Sequence, residues 1–222
     1  MSIKKGSLKV HHFAHLPPFL CEYGAGETDA HRRCKTALCE ALRVLPNATE
    51  WELERDLGSV RPDVSGYIGG QFLAIEVQAS SLTIERISLR TKEYSAKKIP
   101  VLWIGLWHAG LEACRFSPSA WEKWLHVLYF GRVYYWREKA VVTPVHFADH
   151  MLWVEEREWY VSRGVTDSAG GYERRSKRWR ESWPTRNVEI AEMLPSSRSA
   201  WSGGGLSVPK CFLWQDRLDA WW

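Results

Sequence analysis

The chain has 222 residues, 45% hydrophobic and 25% charged, with 30 Lys and Arg against 26 Asp and Glu for a net charge of +4. That length suits one compact domain with an appendage and excludes a long multidomain machine, and the composition excludes intrinsic disorder. The mild basicity permits a polyanionic partner without demanding one.

Residues 8–15 alternate weakly and run into Pro17-Pro18, which predicts a short edge strand. Residues 27–45, rich in Ala and Leu and closed by Pro46-Asn47, predict a helix. Glu27, His31, Cys34, Leu38, Ala41, Leu42 and Leu45 share one of its faces, polar at the N-terminal end and apolar at the other. A core-facing stripe has little reason to carry Glu and His unless that end opens into a site.

Three strands are expected at 49–56, 60–67 and 71–80, separated by Gly58-Ser59 and Gly69-Gly70, as an antiparallel meander. Ile84, Ile87, Thr91 and Tyr94 recur at helical spacing over 83–98, and Pro100 precedes a fourth, buried strand at 101–107. Helix, three strands, helix, strand implies an α/β core on a mixed sheet. Beyond it, Ser117 with Pro118 starts a helix running to Tyr129, and 132–136 can be a strand. The signals then fade. Fourteen Trp, twelve of them from Trp107 onward, make this half compositionally distinct, so we expect a division into residues 1–115 and a Trp-rich α+β region at 116–222.

Within 71–80, Glu76 and Gln78 share a face with Phe72 and Ala74 in an otherwise apolar strand. A short Gly-containing connection brings Asp63 of the preceding strand beside Glu76. Two carboxylates so placed repel each other unless a cation lies between them. Oxygen ligands suit Mg²⁺ or Mn²⁺, which polarise a phosphodiester and activate water. Taken singly, Asp63 can be a turn residue, Glu76 an ion-pair partner of Arg61, and Glu27 a helix-end carboxylate favoured by the macrodipole.

Pro62-Asp63, a thirteen-residue step, and Glu76-Val77-Gln78 resemble the PD-(D/E)xK nuclease motif, with Gln78 where many members have Lys. With His12-Phe13-Ala14-His15, Glu27-x-x-x-His31-x-x-x-Lys35, Arg61-Pro62-Asp63-Val64, Ala74 to Gln78 with Ser80, Arg90-x-x-x-Tyr94 and Trp103-Ile104, the set is similar to the CoiA-like competence nuclease family over about half the chain. The resemblance implies a restriction-endonuclease-like core and metal-dependent DNA hydrolysis. Asp63 and Glu76 would hold Mg²⁺ or Mn²⁺, Gln78 would contact phosphate or water, and Glu27 and His31 would close the site. A neutral Gln supplies no charge, so Lys35 or Arg90 is expected to stabilise the phosphorane, and Arg90 is also counted with the basic run below as a DNA contact. The family's N-terminal cysteine pairs are missing, and residues beyond 115 do not match it.

Arg174, Arg175, Lys177 and Arg178, interleaved with Trp179 and Trp183, can grip a phosphate backbone with indoles stacking on bases, or form a solvated helix face with a Trp stripe. The same Trp and Arg excess suits a protein interface, so a homodimer or a larger DNA-processing complex is also open. His146 and His150 stand four apart without an evident third zinc ligand, and 202–205 reads as a flexible joint. Cys21, Cys34, Cys39, Cys114 and Cys211 are odd in number and lack a C-x-x-C pair, which argues against a disulfide framework or zinc ribbon and for a reducing compartment. No apolar leader follows Met1, and the longest strongly apolar run is far too short to span a bilayer, so a cytoplasmic protein without membrane association is expected.

Overall fold

The computed structural model describes residues 2–4, 12–14, 28–78, 82–162 and 165–217. Short strands β1 (Ser2–Lys4) and β2 (His12–Ala14) pair antiparallel. Helix α1 (Asp29–Arg43) starts where the Thr28 hydroxyl accepts the His31 N–H at 3.1 Å. It buries Cys34, Leu38 and Leu42 of the stripe read from the sequence, with Lys35 and Cys39 added, while Ala41 and Leu45 are partly buried.

The expected meander follows as β3 (Ala48–Leu53), β4 (Val64–Ile68) and β5 (Gln71–Gln78), all antiparallel. Gly69 and Gly70, both at positive φ, make the two-residue turn between β4 and β5. Gly66 in β4 lies under Trp51, where an added Cβ would stand 2.5 Å from the indole. Helix α2 (Ile84–Ala96), capped by Thr83, buries Ile87, Thr91 and Tyr94. The chain then returns as β6 (Val101–Leu106), parallel to β5.

Helix α3 (Ala120–Leu128) is capped by Ser119, not Ser117: the Glu122 carboxylate accepts both the N–H and the hydroxyl of Ser119 at 2.7 Å, which Ser117 stands too early to provide. Strand β7 (Val133–Glu138) lies parallel to β6, and β8 (Val141–Val154) antiparallel to β7. The chain continues through β9 (Arg157–Ser162), β10 (Val165–Ala169), β11 (Tyr172–Pro184), β12 (Val188–Glu189), β13 (Leu194–Arg198), β14 (Trp201–Gly203), β15 (Leu206–Val208) and β16 (Cys211–Gln215).

The main sheet runs β11-β8-β7-β6-β5-β4-β3, with β12 beside β8 and β16 between β13 and β6. It is an α/β arrangement on a mostly antiparallel sheet, the parallel pairs being those made by β6. Hydrogen bonds cross the expected division at residue 115, because β7 and β16 both pair with β6. Tyr94, Trp103, Trp124, Tyr129, Tyr134 and Tyr135 are buried in one core drawn from both halves. Among the described residues no helix is long and apolar enough to cross a membrane.

Three expectations change. The basic run 174–186 is no helix face: residues up to Pro184 form the edge strand β11, bulged where Ser176–Trp179 lack ladder partners. The Ser176 hydroxyl accepts the N–H groups of Arg178 and Trp179 there, at 3.3 and 2.9 Å. His146 and His150 stand on strand β8, bonded to the Gly131 carbonyl and Glu181, so their spacing carries no helical meaning. Residues 202–205 form a tight hairpin, not a joint: Gly204 and Gly205 at φ +56° and +79° link β14 to β15.

Candidate functional site

Strand β4 begins one residue after Asp63, and β5 extends beyond that start. Asp63 Oδ2 therefore reaches the open N–H of Val77, at 2.8 Å. This bond ties Asp63 to the residue that follows Glu76. The N-terminal turns of α1 close over the same carboxylate, with His31 Nε2 3.3 Å from Oδ2 and Lys35 Nζ 3.6 Å from Oδ1. Burial would raise the Asp63 carboxyl, but the bond and charge of His31, the Val77 N–H and Lys35 outweigh it and hold Asp63 below the usual carboxylate range.

Glu76 is 3% exposed and takes bonds from two α2 side chains on one oxygen: the Arg90 guanidinium and the Tyr94 hydroxyl both donate to Oε1. The partner considered from the sequence, Arg61, instead bonds Glu54 Oε2 at 2.7 Å and the Glu54 carbonyl at 2.8 Å. The registers explain it, since Arg61 leaves β4's end toward β3 while Arg90 and Tyr94 stand one turn apart on the helix covering β5. Arg90 also donates to the Arg61 carbonyl at 2.9 Å, so it belongs to this cluster rather than to the basic run with which it was grouped as a DNA contact. Burial is the main influence on Glu76; with the Asp63 charge it outweighs Arg90 and Tyr94 and pushes the carboxyl up to about 7.

Lys35 is 5% exposed and bonds Glu54 Oε1 at 2.8 Å, so it is a bridge between two acids rather than a bare cation. Glu54, absent from the sequence-based set, joins Lys35 to Arg61; it sits at φ +51° just past β3, and nothing in the pattern of 49–56 marks it. Gln78 is buried two residues beyond Glu76 on the same face of β5, opposite Gly105 of β6. Glu27 lies outside the described residues. Beside the cluster, on the other flank of α1's first turns, a hollow of about 290 Å³ is lined by Ala30, Arg33, Leu106, Trp107, Trp136 and Arg137.

The six other predicted nucleic-acid contacts, Arg174, Arg175, Lys177, Arg178, Trp179 and Trp183, stand on β11. Four strand spacings, roughly 19 Å, separate β11 from β5. Trp179 already has the guanidinium carbons of Arg115 and Arg178 over its ring at 4.9 and 4.6 Å, and Arg175 bonds Asp149.

Residues 27–125 match the family described as competence protein CoiA, nuclease-like domain. This segment is similar to the CoiA-like nuclease family. The match encloses every residue of the Asp63–Glu76 cluster and ends inside α3. No curated protein and no solved structure matches the chain. The chain thus carries a CoiA-like nuclease-like domain, and the resemblance read from its motifs holds.

The Glu76 ionisation gives a pH-dependent stability with a defined sign. A carboxyl raised in the folded protein is protonated there over a range where the unfolded chain is ionised. The stabilisation is full below the unfolded value of about 4.5 and is lost as pH rises through about 7. Buried His126, pushed down to about 3 by desolvation and by His146 and Arg180, has the opposite slope below its unfolded value. That slope cancels in a comparison of wild type with Glu76→Gln. The variant is expected to gain relative to wild type between pH 5 and pH 7.5, by on the order of 3 kcal/mol at most, in thermal unfolding with EDTA. A difference that stays flat with pH rules out the raised ionisation.

Proposed function

We propose that the CoiA-like nuclease domain is a divalent-metal-dependent deoxyribonuclease with a restriction-endonuclease-like core, hydrolysing DNA phosphodiester bonds at the Asp63–Glu76 cluster. The supporting observation is that Asp63, drawn onto the Val77 N–H, lies close enough to Glu76 for its charge to raise the cost of ionising Glu76. Among the described residues no three His, Cys, Asp or Glu side chains gather as a metal cage. Two carboxylates nonetheless fit Mg²⁺ or Mn²⁺, which bind through one or two carboxylates with water and substrate phosphate in the remaining positions. Asp63 and Glu76 would hold the ion, which when bound supplies Lewis-acid polarisation of the phosphate and an activated water.

The chain's own groups do the rest. His31 orients Asp63 through Oδ2, and Lys35 and Glu54 fix its other side. Arg90 and Tyr94 hold Glu76 in place on Oε1. Gln78, neutral and buried, can orient water or a phosphate oxygen but supplies no positive charge, so Arg90 serves as the cation nearest the reacting phosphate. Arg33 and Arg137 add positive charge at the neighbouring hollow, where a substrate backbone can pass.

A second reading keeps DNA affinity without turnover. It is favoured by Gln78 in place of the commoner Lys and by the Arg90 ion pair that occupies Glu76. Purified protein with supercoiled and linear DNA separates the two. Under the first, Mg²⁺ or Mn²⁺ supports cleavage that EDTA abolishes; under the second, DNA is retained in a salt-dependent manner and stays intact with every divalent ion.

A further inference from the structure

Beyond residue 149 the β8–β11 pair leaves the body of the protein as a two-stranded arm, and β9 and β10 extend it, pairing only with each other. The join is a kink. Gly171 donates to the Val154 carbonyl at 2.8 Å, and Gly170, at φ +116°, passes so close that an added Cβ would stand 2.1 Å from the Glu155 carbonyl oxygen. A lone two-stranded ribbon is marginal in water, and its unpaired edges invite pairing. This one also exposes Met151, Trp153, Trp159, Tyr160, Val161 and Tyr172, half of the twelve large exposed hydrophobics among the described residues. An apolar surface of this kind on a soluble protein marks a contact site.

Charge identifies the occupant. From 155 to 173 the arm carries five acidic residues against two arginines, whereas 174–180 carries five cations and no carboxylate. Glu156, Glu158, Arg174 and Lys177 form no ion pair with a described residue. Within one chain Glu158 is held away from the root cations, because it stands opposite Ser168, six residues or about 20 Å of extended strand from Arg174. The acidic zone also repels phosphates, which argues against a nucleic acid lying along the arm.

We infer that the arm is a self-association device: a second copy of this chain lies antiparallel along it, the acidic outer part of each arm against the basic root of the other. The isologous contact forms this charge pairing twice and covers the exposed indoles of both ribbons. The inference stands apart from the nuclease reading, and its test uses no DNA cleavage.

The test is sedimentation of the full chain over a range of concentration and salt, with folding checked by circular dichroism. Wild type is expected to dimerise, more weakly as salt rises. A root-reversed variant (Arg174→Glu with Lys177→Glu) and an outer-reversed variant (Glu156→Lys with Glu158→Lys) should each weaken self-association by roughly 100-fold, since like charges then face each other. Mixed in equal amounts, the two should associate with near wild-type affinity, because each contact again pairs opposite signs; a merely structural role gives no such rescue. A wild type that stays monomeric, variants that dimerise unchanged, a mixture that fails to associate, or assembly that occurs only on added DNA overturns the inference.

Discussion

Asp63→Asn is expected to cleave DNA about 10³-fold more slowly than wild type while keeping its fold, since a bound metal contributes several kcal/mol of transition-state charge stabilisation. Asparagine keeps the shape and can still accept the Val77 N–H that positions the loop before β4. Lys35 keeps Glu54 at 2.8 Å, so no buried ammonium is stranded. The substitution also removes the charge that helps hold Glu76 protonated, so Glu76 becomes more ionised at neutral pH. A fall in rate then reports the lost Asp63 charge and not a protonated Glu76. Plasmid nicking in Mg²⁺ or Mn²⁺, alongside thermal unfolding of both proteins, measures it, and an unchanged rate removes Asp63 from the chemistry.

Asp216→Ala is expected to destabilise the whole protein by about 3–5 kcal/mol, the cost of taking one partner from a buried ion pair. The Asp216 carboxylate bonds the Arg132 guanidinium, and the two side chains are 2% and 4% exposed. Arg132 precedes β7 and also donates to the Tyr129 carbonyl, while the Asp216 N–H donates to the Tyr134 hydroxyl at 3.2 Å, so the pair clasps the end of β16 to the core. For a chain of this size the loss lowers the melting temperature by roughly 6–20 °C. Replacing both partners with apolar residues of similar volume should recover most of it. One cooperative transition is expected, because β16 and β7 share hydrogen bonds with β6 of the nuclease-like domain. Two separate transitions in calorimetry would show instead that 116–222 melts by itself.

Much of the first half was legible because its signals are local. The α1 stripe, the Gly69-Gly70 turn, the alternation in β5 and the Ile87-Thr91-Tyr94 face of α2 are set by neighbours within one turn or one hairpin, and each is found where the pattern puts it. Asp63 beside Glu76 was legible for the same reason: a two-strand register fixes it. Residues 149–184 were not, because a ribbon largely exposed on both sides has no buried face to impose a period of two. The Trp179–Trp183 spacing then looks as helical as it does extended.

The sequence alone determined the order of helices and strands from β2 through β7, the acidic pair and the family resemblance, all of which rest on periodicity and short-range spacing. Only the tertiary structure decided what each charge meets. Arg90 and Tyr94 come to Glu76 across 14 and 18 residues, Lys35 to Glu54 across 19, and Arg132 to Asp216 across 84. Tertiary structure also sorted the Trp excess: Trp124 and Trp214 are buried with their indole N–H groups on backbone carbonyls, whereas Trp153 and Trp159 lie on the arm. The reason is physical. A charge or an indole is committed by the burial and the partners that distant segments supply, and no local pattern carries that information.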